Sequence, residues 1–278
     1  MHKLPRNWPE GRSLAVTVSV MLEAWGDGVA PGIGPMGNPL KAGVLDLQAR
    51  SWAAYGPRTG TWRLLDVLAA AKVRAVFYVS GIIAEREPAL LKAIVEAGHE
   101  VAGHSWSQDI VPATQSREDE AADLQRCISA TTQATGKPLL GWISPRCTPS
   151  ASTTELLADS GFTWHGDFFD ADLPRVIETA KGRIVAMPFS MEVNDLPLTI
   201  RYGNAPEAFM QILERTVTQW PTLPASTACM DITVHAHIFG RPAGAIELAK
   251  SLEIVRRCSD WAWLTDHAQL ARDSLEGA

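Results

Sequence analysis

The stretch Gly98-His-Glu-Val-Ala-Gly-His-Ser-Trp106 contains a short apolar run that leads into a histidine, with an aromatic residue two positions later. In sheets of parallel strands, functional side chains lie at the carboxyl ends of the strands. A strand over Glu100–Ala102 would therefore place His104 at the rim of a site. The rest of the chain alternates short β-rich runs with longer helical patterns, which is typical of parallel strands joined by helices.

Six segments have the composition and length of strands, namely Ala15–Leu22, Ala75–Val79, Glu100–Ala102, Trp142–Ser144, Ile184–Phe189 and Ile232–His237. Helical patterns occupy Trp62–Ala71, Pro88–Glu96, Arg117–Thr132, Thr153–Asp159, Pro206–Thr216 and Ala245–Arg256. This order predicts one α/β domain, most simply a barrel, over residues 1–278. The interval Gly26–Gly60 is rich in Gly and Pro and lacks periodicity, so it predicts a long loop over one end of the barrel, where lids and binding loops occur.

The composition limits the possible partners. The chain has 278 residues, of which 46% are apolar, and Lys+Arg 25 against Asp+Glu 31 give a net charge of -6. This charge disfavours binding to nucleic acid or to anionic membranes. The composition therefore predicts a small-molecule substrate, with no nucleic-acid or membrane partner.

The N-terminal segment and the cysteines predict the compartment. Prolines and charges interrupt Met1–Glu10, where a secretory signal would need an apolar segment. No apolar run approaches the ~20 residues that span a bilayer. The four cysteines are widely separated, which argues against a zinc knuckle and a disulfide framework. These features predict a soluble, cytoplasmic protein with small buried cysteines at positions 127, 147, 229 and 258.

Polar residues that directly follow the apolar runs come from many parts of the chain, as the mouth of a barrel requires. They are Glu23, Ser80, His104, Arg146, Ser190, Asn194, His235 and His237.

Four motifs, taken together in this order, resemble the NodB-type polysaccharide deacetylase superfamily, and within it the branch of metal-independent allantoinases. They are Tyr55–Arg63, Gly98–Trp106, Met187–Asp195 and His235–Pro242. The resemblance runs from about Ser13 to Leu270. It implies a distorted (β/α) barrel with about seven strands and a hydrolase of carbon–nitrogen bonds other than peptide bonds.

The sequence differs from the superfamily pattern in three places that affect metal binding and the choice of substrate. Where metal-dependent members carry Asp-x-Asp on the first strand, this chain has Met21 at the catalytic acid and Glu23 at the metal ligand. Gln108 stands where those members have a second histidine. A catalytic zinc ion normally has three protein ligands, and an amide is a poor one. In Asp167–Arg175, Ala171 replaces an acid and Arg175 an aromatic residue of the branch, so the substrate is expected to differ.

The sequence therefore predicts that no cofactor is needed, with a divalent metal such as zinc as the alternative. That alternative would use Glu23 and His104 with Gln108 or Asp109, or would recruit His235.

Hydrolysis of an amide-like bond without a metal needs a base, a donor to the oxyanion and an acid for the nitrogen. Glu23 is the predicted base, with a pKa raised by burial. His104 is predicted to donate to the carbonyl oxygen or to orient water. His235 and His237 are two positions apart on a predicted strand and therefore share a face. The resemblance favours His235 as the acid, and His237 is predicted to contact the substrate or to support the site from the core.

The remaining predicted substrate-binding residues surround this centre. Arg58, Trp62 and Trp106 have the chemistry to hold a planar heterocycle, although tryptophans are also ordinary core residues. Arg146 matches a family arginine that closes on the site. Asn194 either contacts the substrate or, with the residue after it, fixes the loop that contains Tyr202.

The leading hypothesis is a cytoplasmic, metal-independent hydrolase of a small cyclic amide, imide or ureide. A metal-dependent N-deacetylase of an acetylated sugar is the first alternative, and a ligand-binding pseudoenzyme, suggested by Met21, is the second. The resemblance also implies a homo-oligomer.

Overall fold

A computed structural model describes residues 8–32, 34, 40–41, 43–224 and 227–277. In this part of the chain the strands are β1 Leu14–Leu22, β2 Val76–Val79, β3 Glu100–Gly103, β4 Gly141–Trp142, β5 Trp164–Phe168, β6 Arg175–Thr179, β7 Gly182–Pro188, β8 Ala228–His235 and β9 Ala262–Leu264. The α-helices are α1 Leu47–Tyr55, α2 Thr61–Ala71, α3 Gly81–Arg86, α4 Pro88–Glu96, α5 Arg117–Thr135, α6 Thr153–Asp159, α7 Glu207–Gln219, α8 Pro242–Arg257 and α9 His267–Glu276.

The strands form one curled sheet in the order β6-β7-β5-β4-β3-β2-β1-β8, and β9 pairs with the start of β1. All pairings are parallel except that of β6 with β7. The predicted α/β, NodB-like barrel is confirmed. The sheet has more strands than the predicted seven or so, because β6 adds an antiparallel edge and β9 contributes three residues.

The central strand β1 is buried on both faces. Val18 and Val20 belong to the core between the sheet and the helices, whereas Ala15 and Met21 belong to a second core inside the barrel. A strand buried on both faces appears in sequence as an uninterrupted apolar run. Since side chains alternate, Glu23 lies on the same inner side as Met21 and reaches the mouth of the barrel.

Helix α9 packs against β6 and β7, and its first residue reaches a buried carboxylate. At its first residue, the Nε2 atom of His267 lies 3.3 Å from Oδ1 of the buried Asp231. The same oxygen accepts hydrogen bonds from Thr17 and Ser19, at 2.6 and 2.9 Å. The ring of Trp164 stacks on His267 with centroids 4.9 Å apart. These contacts satisfy a buried carboxylate that would otherwise be costly.

The predicted loop over 26–60 is wrong in its second half, where α1 and a π-helical turn, Gly56–Gly60, lie. In α1 the buried residues Ala49, Trp52 and Ala53 have helical spacing, but they span little more than one turn, which is too short a pattern to stand out in the sequence. Residues 33 and 35–39 of the Gly/Pro-rich motif lie outside the described residues. The strand predicted to reach His237 ends at His235, where a turn begins.

All four cysteines are free; Cys127 and Cys258 are buried, and Cys147 and Cys229 are half-buried. None of the helices in the described ranges has the length and apolar composition that crossing a bilayer requires.

Gly60 allows the start of α2 to lie against the turn that follows β8. A Cβ atom at this position would lie 1.9 Å from the carbonyl oxygen of Ala236, which is backbone and cannot rotate away. We expect Gly60→Ala to destabilise the protein by about 3 kcal/mol or more, beyond the usual range for overpacking. Thermal unfolding should show a midpoint lower by roughly 5–10 °C. Gly32→Ala is the control, since its Cβ would meet no atom of the described residues within 4 Å; equal losses in both variants would contradict the steric explanation.

Candidate active site

Four buried side chains meet at the mouth of the barrel. Glu23 follows β1, His104 follows β3, His235 ends β8, and His237 lies in the next turn. Oε1 of Glu23 lies 3.5 Å from Nε2 of His104 and 4.0 Å from Nε2 of His235. Oε2 lies 3.9 Å from Nε2 of His237. The structure thus brings together the three predicted catalytic residues and one predicted substrate-binding residue around one carboxylate.

His235 is held by Asp195, which was not among the predicted catalytic residues. Oδ1 of Asp195 lies 2.6 Å from Nδ1 of His235. Its Oδ2 accepts hydrogen bonds from the backbone N–H groups of His235 and Phe239, at 2.8 and 3.2 Å. Because a carboxylate only accepts, Nδ1 of His235 carries a proton and Nε2 faces Glu23. The Asn194-Asp195 pair in the Met187–Asp195 motif was the only sequence signal for this residue.

The predicted direction of the Glu23 pKa is wrong. Burial raises the pKa, but His235, His104 and His237 outweigh it and lower the value from 4.5 to about 2. For His235, burial lowers the pKa, but the carboxylates of Asp195 and Glu23 outweigh it and raise the value above 6.5. The site therefore favours the ionised form of Glu23 and the protonated form of His235.

The ring of His104 has a fixed orientation. Its Nδ1 atom lies 2.7 Å from the carbonyl oxygen of Ile143, which can only accept, so Nδ1 is the donor. In the neutral ring Nε2 is then an acceptor, and no described residue forms a hydrogen bond with it. A neutral ring can orient a water molecule through this nitrogen, whereas a protonated ring could donate to an oxyanion from it. Both predicted roles of His104 stay predictions.

His237 is 1% exposed, and neither of its ring nitrogens has a hydrogen-bond partner among the described residues. Burial lowers its pKa to about 3, although Glu23 acts in the opposite direction. The rings of Trp52 and Trp25 meet it edge-on, with centroids at 4.4 and 6.2 Å. These two tryptophans, rather than the predicted pair, form the aromatic wall of the site.

The residues predicted to hold a planar substrate do not contact the four site residues directly, and their contact with a substrate stays a prediction. Arg58 and Trp62 are exposed, and neither forms a hydrogen bond, ion pair or ring contact with the four site residues in the described structure. Trp106 is buried in the core, with the guanidinium of Arg126 over its ring at 3.5 Å. The pattern of aromatic residues along the chain could not distinguish core from pocket.

The remaining predictions concern two loops. The side chain of Asn194 forms a hydrogen bond within its own loop, in which Oδ1 accepts from the backbone N–H of Leu196 at 3.1 Å. This bond agrees with the alternative role of fixing its loop, and contact of Asn194 with the substrate stays a prediction. Arg146 follows β4, is exposed, and has a left-handed φ of 59°. Its contact with substrate stays a prediction.

The residues at the family's metal positions do not fit a metal ion. The amide nitrogen of Gln108 donates to Ser80 Oγ at 3.0 Å, and the side chain replaces an imidazole ligand. Asp109, an alternative ligand, instead accepts from the backbone N–H of Gly26 at 2.8 Å. Across the described ranges, no three His, Cys, Asp or Glu side chains are arranged to hold a metal ion.

Comparisons with known proteins agree with this architecture. Residues 54–165 match the polysaccharide deacetylase family. The chain is 23% identical to a peptidoglycan deacetylase of Helicobacter pylori over 253 residues, which cover 80% of this chain and 86% of the relative.

Among solved structures, a probable polysaccharide deacetylase from Pseudomonas aeruginosa PAO1 is similar with a TM-score of 0.86 and 24% identity, covering 98% of this chain and 93% of that chain. A Puue allantoinase is similar with a TM-score of 0.85 and 23% identity, at the same coverage. The predicted resemblance is confirmed. In sequence over residues 54–165, and in fold over nearly its whole length, the chain is similar to polysaccharide deacetylases, which are hydrolases of carbon–nitrogen bonds other than peptide bonds.

Proposed function

We propose that this protein hydrolyses a carbon–nitrogen bond in a small cyclic amide, imide or ureide without an obligatory metal. One observation carries the proposal: the carboxylate of Glu23 faces His235, whose other ring nitrogen is bound to Asp195. The surroundings push the pKa values of Glu23 and His235 in opposite directions, as expected of a base and an acid that act in one reaction.

In the proposed reaction, Glu23 takes a proton from a water molecule that His104 Nε2 helps to orient. The water oxygen bonds to the carbonyl carbon, and the carbonyl electron pair moves to oxygen. His235 then gives its Nε2 proton to the nitrogen as the carbon–nitrogen bond breaks, and Asp195 stabilises the imidazolium before that transfer. The products are a carboxylic acid and an amine or amide on the same opened ring.

The burial of the site favours a small substrate. Glu23, His104 and His235 are less than 10% exposed, and the rings of Trp25 and Trp52 contact His237. A sugar polymer requires an open groove, whereas a small molecule can be enclosed. The proposal retains a cytoplasmic location and a homo-oligomeric state. Light scattering of the purified protein would measure the oligomeric state.

The test is to incubate the purified, chelator-treated protein with allantoin, hydantoins and cyclic imides and to follow ring opening by chromatography. We expect hydrolysis of at least one compound at a rate that added zinc does not change. The same panel with Glu23→Gln controls for contaminating enzymes. Absence of ring opening across the panel would contradict the proposal.

A metal-dependent N-deacetylase is the second candidate, and the similarity to a peptidoglycan deacetylase favours it. Release of acetate from an acetylated oligosaccharide, lost with chelator and restored with zinc, would support this candidate. Binding without turnover is the third outcome. It would appear as thermal stabilisation by a ligand, following RT ln(1 + [L]/Kd), without product.

A further inference from the structure

The ring of His237 is a buried polar group without a protein partner. Its Nδ1 and Nε2 atoms form no hydrogen bond with any described residue, although the side chain is only 1% exposed. A buried polar group without a partner typically costs about 1–3 kcal/mol, so such a group calls for an explanation. A bound molecule that supplies the missing hydrogen bond would remove this cost.

The orientation of this ring is fixed by its neighbours. Trp52 and His235 meet it nearly perpendicularly, at 85° and 80°, with centroids 4.4 and 5.7 Å away. A Cβ atom on Gly56 would lie 3.4 Å from the backbone nitrogen of His237, so the π-helical turn packs closely behind it. The ring is therefore held in place before any substrate enters, as effective stabilisation of a transition state requires.

In its neutral form, His237 can donate one hydrogen bond. With a pKa lowered to about 3 by burial, the ring is uncharged at neutral pH and has one N–H group. The carboxylate of Glu23, 3.9 Å from Nε2, favours the tautomer with the proton on Nε2. A neutral imidazole can polarise a carbonyl in this way without giving up its proton.

We infer that His237 is a further catalytic residue, whose Nε2–H group donates a hydrogen bond to the substrate oxygen that becomes the oxyanion. This inference rests on the proposed function. The role is open, because Nδ1 of His104 already donates to the carbonyl oxygen of Ile143 and the Nε2 proton of His235 is transferred to nitrogen. No bond to His237 forms or breaks. Once Glu23 has taken the proton from water it is neutral, so it does not repel the oxyanion.

The test compares His237→Phe with His237→Gln on a substrate that the wild type hydrolyses. Phenylalanine keeps the edge contact with Trp52 but removes the donor, whereas glutamine retains an N–H. We expect His237→Phe to lower kcat by about 10²–10³-fold with KM changed less than about three-fold, and His237→Gln to recover part of the loss. The alkaline limb of the pH profile, set by His235, should not move. A kcat within three-fold of wild type, or a change confined to KM, would overturn the inference.

A second measurement separates this inference from the proposed function. A cyclic phosphonamidate presents a tetrahedral, negatively charged oxygen, and its affinity can be measured by calorimetry whether or not a substrate is turned over. We expect wild type to bind it at least ten-fold more tightly than His237→Phe, while both variants unfold at similar temperatures. Equal affinities would overturn the oxyanion contact. If the wild type hydrolyses no substrate but still binds the phosphonamidate more tightly than His237→Phe does, only the proposed reaction would be contradicted.

Discussion

Replacing Glu23 with glutamine is expected to lower kcat by about 10²–10⁴-fold, because the amide cannot take a proton from water. The change keeps the shape of a side chain that is 9% exposed and lies within 4.0 Å of three histidine rings. Single-turnover rates on the best substrate of the panel are the appropriate measurement, since they exclude slow product release. Glu276→Gln, at an exposed position of α9, is the matched control.

The same substitution has a consequence for stability. The folded-state pKa of Glu23 is about 2, below its usual 4.5, so the carboxylate stabilises the fold above pH 4.5 and this contribution is lost as the pH falls toward 2. The stability of the wild type should therefore decrease more steeply than that of Glu23→Gln between pH 4.5 and 2. Parallel urea unfolding curves over this range would show that the histidines do not interact with Glu23 as described.

Replacing Asp195 with asparagine is expected to lower kcat by about 10²–10⁴-fold, because the imidazolium of His235 loses the carboxylate that stabilises it. The raised pKa of His235 depends on Asp195 and Glu23. The alkaline limb of the kcat/KM profile should therefore move to lower pH in this variant, while the acid limb, set by Glu23, stays in place. A profile of unchanged shape would mean that His235 is not the acid in the reaction.

Local patterns in the sequence were sufficient to predict the architecture and to identify the functional residues at the ends of three strands. Periods of two and of 3.6 residues depend only on neighbours along the chain, which is why the alternation of strands and helices was predicted. Glu23, His104 and His235 could be found because each follows or ends an apolar run, and parallel strands bring their carboxyl ends to one edge. The elements missed, such as β5 and β9, are short or lack a clear apolar period.

The sequence by itself therefore determined the α/β barrel and the carboxylate and two histidines at its mouth. Only the tertiary structure decided which partners these groups have. Asp195 is 40 residues from His235, and Trp52, which contacts His237, lies in a short helix that the sequence analysis interpreted as a loop. The pKa of Glu23 is low because histidines from two distant segments converge on it. Charge, orientation and burial depend on distances between such segments, which local patterns do not encode.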